Sequence, residues 1–300
     1  MLIKPIKLID QIKTFLKKLP LFDKITIAYN TLILIIFFIF YDKIGNKTFI
    51  FCFHVGILSF IILWNKFKKN INNDSIKNII SDWYPLSLLT HYYLETIYFK
   101  RIIFDNDIDS FLVKVENMLF GFQPSIIFYK TLPYLPIKEL MCFFYSSHFY
   151  LGLTVAIYFY ITQKKIFYKL GKDILITFQF CYLFFMFIPS SGPQFYFNNS
   201  IFHSHGGIFY HFLAYIENNI EIPSGAFPSS HVAIATIIII YSLFFINKKR
   251  IKIPIIFIAT GLIISTVYIR AHYLIDVIAG IIVGSLSYFI NNNIIFKQKE

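Results

Sequence analysis

Charge is the first scarcity. Asp, Glu, Lys and Arg make up only 15% of the 300 residues, whereas apolar residues reach 57% and mean hydropathy is +0.62. An ordinary soluble domain carries about a quarter charged residues. A chain this poor in charge exposes too much hydrocarbon to stand in water, so the composition argues for a protein solvated by lipid. Cysteine is scarce too. Cys52, Cys142 and Cys181 lie far apart inside apolar runs with no paired spacing, which speaks against a disulfide or metal framework. No small-residue cleavage site follows the Lys-, Ile- and Leu-rich first 24 residues. They read as an amphipathic helix on a membrane surface, not as a cleavable signal. Internal repeats and low-complexity linkers are also lacking.

What is present is one apolar run after another. A helix needs about 20 apolar residues to cross a bilayer. Eight stretches qualify, at about 25–41, 48–65, 83–99, 138–161, 174–190, 229–246, 253–269 and 272–291. The third contains Pro85, His91 and Glu95 and is the weakest, with a re-entrant or interfacial helix as its alternative. The predicted fold is all-α, a polytopic membrane helix bundle of about eight transmembrane helices. Residues 1–82 form an N-terminal appendage of amphipathic segment and two spans, 83–291 a membrane core, and 292–300 a cytoplasmic tail.

The formal net charge of +12 does not outline a nucleic-acid surface, because no basic stripe runs through polar sequence. With both termini in the cytoplasm and spans alternating, 20 of the 28 Lys and Arg fall in inside segments, as the positive-inside rule requires. Two long segments then lie outside. Residues 100–137 hold Asp105, Asp107, Asp109 and Glu116. Residues 189–228 hold His203, His205 and His211 but no Lys or Arg. Those three histidines lack the Cys or carboxylates that would complete a metal site, and read as loop polarity or headgroup contacts.

Two segments carry the chemistry. In Ala226-Phe227-Pro228-Ser229-Ser230-His231, proline sets up a helix start. Ser229 and Ser230 fall in the first turn, where unpaired N–H groups favour an anion such as phosphate. The plainer reading is an N-cap beside an incidental histidine. In Arg270-Ala271-His272-Tyr273-Leu274-Ile275-Asp276, the spacing of His272 and Asp276 puts both on one helix face. The carboxylate fixes one imidazole nitrogen and leaves the other as base or nucleophile. Its alternative is a structural His–Asp pair locking two helices. The topology puts His231 and His272 on the same outer face. A nucleophile, an orienting carboxylate, a second histidine and a phosphate cradle are together sufficient for phosphoryl transfer.

FPSSH followed by HYLIDVIAG resembles the second and third signature motifs of the type 2 phosphatidic acid phosphatase superfamily. The closer likeness is to its inositol phosphorylceramide synthase branch, which Pro189-Ser190-Ser191-Gly192-Pro193-Gln194 and the acidic segment ending in FGFQP also resemble. The resemblance implies a six-helix core, His272 as nucleophile through a phosphohistidine, Asp276 orienting it, His231 as general acid, and Ser229 and Ser230 at the phosphate. It implies no metal or cofactor. The superfamily's cationic clamp is missing: Phe187 and Gln194 stand at its first-motif slots and Thr266 at the third-motif one. Arg270 is the expected replacement, against a snorkelling surface cation, and Gln194 a further phosphate contact. The expected function is an integral membrane lipid phosphatase or phosphotransferase. Its partners are a lipid phosphate in the bilayer and an alcohol acceptor, and its site faces the extracytoplasmic or luminal side. The alternatives are a transporter or flippase, with Glu95, Asp276 and the histidines as its path, and an inactive scaffold.

Overall fold

Helix breaks fall where the apolar runs meet proline, glycine or charge. The computed structural model describes residues 14–198, 201, 206–219 and 225–296, and among them there is no strand. The chain packs as two units, Met1–His91 and Tyr92–Glu300. Residues 1–13 lie outside the described residues, and so does most of the predicted amphipathic segment. His203, His205 and the last four residues of the predicted tail also fall outside them.

In the first unit, α1 (Leu21–Ile39) and α2 (Lys47–Phe67) meet the first part of α3 (Asp74–Phe99). A buried polar knot ties them. Asp23 on α1 accepts from Asn65 on α2 at 2.6 Å and from the Tyr84 hydroxyl on α3. His54 bonds Asn30 at 2.7 Å, and His91 stacks on Phe53 with ring centroids 4.6 Å apart.

The second unit continues with α4 (Asp109–Phe120), α5 (Pro124–Thr131), α6 (Leu135–Ser146), α7 (Leu151–Thr162), α8 (Lys164–Phe187) and α9 (Ile208–Asn219). It ends with α10 (Ser230–Phe245), α11 (Lys249–Tyr268) and α12 (Leu274–Phe296). Buried residues occur on every side of α10, as expected of a central helix, and it packs against α8, α11 and α12. Away from the site, buried polar pairs join the same helices. Tyr241 donates to Asp173 at 2.7 Å, Thr177 to Ser287 at 2.7 Å, and Lys172 to the Asn291 carbonyl at 2.9 Å. Glu139 on α6 caps α9 by accepting from the amides of Gly207, Phe209 and Tyr210.

All eight predicted runs are helical. Five of them, α1, α2 with its following turn, α8, α11 and α12, are long and apolar enough to cross a membrane. α6 and α7 make a sixth if their 49° bend is one broken span. The other two fall short of that measure for different reasons. α3 carries Asp74, Asp82 and Glu95, and α10 has 16 residues, about 24 Å of helix. The chain is a polytopic helical membrane protein.

Candidate active site

Three backbone breaks converge at one end of the second unit. The first lies between α11 and α12. The helix stops at Tyr268, and Arg270 turns the chain in the left-handed region, φ 67°, a conformation costing a non-glycine residue about 1–2 kcal/mol. That reversal places His272 in the turn, ahead of α12, with its amide on the Thr266 carbonyl at 3.2 Å. Asp276 then reaches back from the first turn of α12 to accept from the Tyr273 amide at 2.9 Å, satisfying one of the donors a helix start leaves open.

The second break is the start of α10. Ser229 is its N-cap, with Oγ accepting from the Val232 amide at 3.3 Å, and its own amide donates to the Asp276 carbonyl at 3.2 Å. The third is the loop after α8. Its main chain is bonded on both sides: Gln194 donates to the Arg270 carbonyl and Ala226 donates to the Ser190 carbonyl, each at 3.0 Å. Gly192 is required here. Its φ is +89°, and a Cβ would stand 2.7 Å from the Ala271 carbonyl oxygen.

These breaks bring His231 Nδ1 to 3.3 Å from His272 Nε2. His272 Nδ1 lies 2.9 Å from the Ala226 carbonyl oxygen and 3.5 Å from Asp276 Oδ2. A carbonyl only accepts, so Nδ1 carries the proton and Nε2 a lone pair. His231 is therefore the donor between the two rings. Burial pushes the His272 imidazole down to about 4, against the hydrogen bond to Ala226, which raises it. The ring is neutral at physiological pH.

A small open cavity of about 30 Å³ adjoins the pair, lined among others by Ser191, Gln194, Ser230, Tyr93 and Tyr145. It has room for a small reacting group, and the rest of any substrate must lie outside. Among the described residues no Lys or Arg lines it. Of the residues expected at the phosphate, Ser230 and Gln194 are among its lining. The Ser229 side chain is fully buried in its capping role. Arg270 is 3% exposed, with its guanidinium over the Tyr129 ring at 4.9 Å, and is not among the lining residues. Thr266 is buried, with its hydroxyl on the Ile263 carbonyl.

The acidic stretch outside the motifs supports this frame. Asp109 accepts from the amides of Ser191 at 2.8 Å and Gly192 at 2.9 Å, and from the Tyr273 hydroxyl at 3.0 Å. Burial pushes the Glu116 carboxyl up to about 7, while it accepts from the Ile275 amide at 3.2 Å. Burial also pushes Asp107 up, but hydrogen bonds from Lys100 and Ser191 hold it below the usual carboxylate range.

A family model described as the PAP2 superfamily matches residues 110–290, an interval that contains both histidines and every helix from α5 to α11. The chain belongs to the PAP2 superfamily. Membership supports an enzyme of the phosphatase or phosphotransferase type. No curated protein and no solved structure matches the chain.

Within this PAP2-superfamily site, sequence reasoning missed two contributors. One is the Ala226 carbonyl. The other is His148, at the bend between α6 and α7, whose ring meets that of His231 edge-on at 4.4 Å. Its Nδ1 faces the Tyr145 carbonyl at 2.7 Å. The available signal was Ser146-Ser147-His148, three polar residues interrupting an apolar run.

Proposed function

We propose that this chain is an integral membrane lipid phosphatase or phosphotransferase that works through a phosphohistidine on His272. The observation that carries the reading is the histidine pair beside the pocket, one ring held with its Nε2 lone pair toward the other, whose Nδ1 lies 3.3 Å away. His272 Nε2 attacks phosphorus, and the bond from phosphorus to the leaving alcohol oxygen breaks. His231 gives its Nδ1 proton to that oxygen. In the second step His231 takes a proton from water or an acceptor alcohol, whose oxygen displaces Nε2 and regenerates the enzyme. Asp276, 3.5 Å from His272 Nδ1, favours positive charge on the ring as the phosphorus–nitrogen bond forms. Water makes the protein a phosphatase and an alcohol makes it a transferase.

The resemblance of the FPSSH, HYLIDVIAG and FGFQP segments to inositol phosphorylceramide synthases supports the transferase outcome, with a phospholipid donor and a lipid or polyol acceptor. The distribution of Lys and Arg supports a site on the extracytoplasmic or luminal face. The scaffold reading draws on the pocket's lack of a lining cation.

The test uses purified protein in detergent with chelator. Phosphatidic acid, an isoprenyl diphosphate and a phosphoinositide are offered with and without alcohol acceptors, and products are followed by mass spectrometry. Turnover by wild type that falls by at least about 10³-fold in His272→Ala is the expected result, because removing a covalent nucleophile deletes the whole pathway. Turnover unchanged in the variant would end the phosphohistidine reading. No turnover on any substrate would favour transport or scaffolding.

A further inference from the structure

A phosphoryl group brings negative charge into the pocket, and the charge in its transition state needs a partner. The pocket lining supplies hydroxyls, an amide and imidazoles but no cation. Arg270 is turned to Tyr129. A cation that reaches a lining residue comes from elsewhere in the second unit. Lys100, just beyond the end of α3, puts its Nζ 3.3 Å from Ser191 Oγ and 2.8 Å from Asp107 Oδ2. Ser191 lines the pocket and donates its hydroxyl to Asp107.

We propose that Lys100 is the phosphate-positioning cation of this site, acting by its field from beside Ser191 in place of the motif cations the chain lacks. The inference rests on the phosphoryl-transfer reading above. The Lys100 side chain is only 12% exposed, so solvent and salt screen its field weakly. Asp107 does not depend on Lys100 alone for its countercharge, because Arg101 Nε lies 3.5 Å from its other oxygen. The neighbouring carboxylate, Asp109, is occupied by two loop amides and the Tyr273 hydroxyl. Lys100 is thus held beside the pocket by a carboxylate that has a second cation. Its ammonium donates to the Ser191 oxygen and lends positive potential to an anion bound beside it. Arg101, at 57% exposure, serves Asp107 from the solvent side.

The alternative is that Lys100 only balances Asp107. Orthovanadate, which takes up the five-coordinate geometry of phosphoryl transfer, separates the two. Lys100→Gln and Asp107→Asn break the same ion pair and stress the fold alike, but only the first removes the cation. Inhibition by vanadate should weaken about tenfold or more in Lys100→Gln, the order of one lost charge-assisted hydrogen bond. Lys100→Arg should restore most of it, and Asp107→Asn should leave it unchanged or tighten it. Equal weakening in Lys100→Gln and Asp107→Asn, or inhibition unchanged in Lys100→Gln while wild type is inhibited, overturns this inference alone. A wild-type protein that vanadate does not inhibit overturns the phosphohistidine reading and this inference together.

Discussion

At the scale of single residues, the site turns on which nitrogen of His272 keeps its proton. The Ala226 carbonyl is the nearer acceptor and Asp276 the farther one. Main chain therefore fixes the tautomer, and the Asp276 carboxyl group stands 3.5 Å away while capping α12. Burial adds a second consequence. A histidine held down at about 4 is unprotonated across the physiological range, as the proposed nucleophile must be, whereas an ordinary one loses half its lone pairs at about pH 6.5. The acid limb of kcat/KM, which reports the free enzyme, should accordingly fall near pH 4. Raising the pH through 4 restores activity, because the depressed pKa means the proton leaves early. A limb near pH 6.5 would show that the resting ring is more solvated than the structure has it.

At the scale of helices, the distance between the two histidines is set by how closely α10 approaches α12. Gly280 and Gly284 make that approach possible. A Cβ on Gly280 would stand 2.6 Å from the Ser229 carbonyl oxygen, and one on Gly284 would stand 2.4 Å from that of Ala233. Small residues four apart let membrane helices meet backbone to backbone. Gly56 on α2 has nothing within 4 Å of the same position. Alanine at Gly56 should therefore stabilise by up to about 1 kcal/mol through helix propensity. Alanine at Gly284 should destabilise by about 1–3 kcal/mol through overpacking. Thermal unfolding in detergent compares them, and equal stability would contradict the packing. His231, His272, the two serines at the start of α10 and the helical runs were legible in the sequence, because each leaves a residue-type signal. The Ala226 carbonyl was not legible, since a main-chain acceptor leaves no such trace. Lys100 lies outside every motif, and the turn expected at Arg270 is present, but which way its side chain leaves that turn, here over the Tyr129 ring, has no signal in residue type.

At the scale of the whole molecule, sidedness is the open arrangement. We propose, from the basic clusters and the positive-inside rule, that the α10–α11 connection lies inside and α9 outside. In a variant with Cys52, Cys142 and Cys181 replaced, a cysteine at the exposed position of His211 should react with an impermeant thiol reagent added to intact cells. One at exposed Asn247 should react only after permeabilisation. The opposite labelling would invert the proposed topology. The meeting of the three breaks has a different consequence. Ser229 to Asp276, Gln194 to Arg270 and Ala226 to Ser190 are all main-chain bonds, and no side-chain substitution deletes a main-chain donor or acceptor other than by proline. These three bonds thus tolerate side-chain change around them, except where a Cβ would crowd the turn, as at Gly192, or where a side chain holds the loop, as Asp109 does. If the proposed roles hold, such a frame keeps His272 in place whichever stretch of chain supplies the cation.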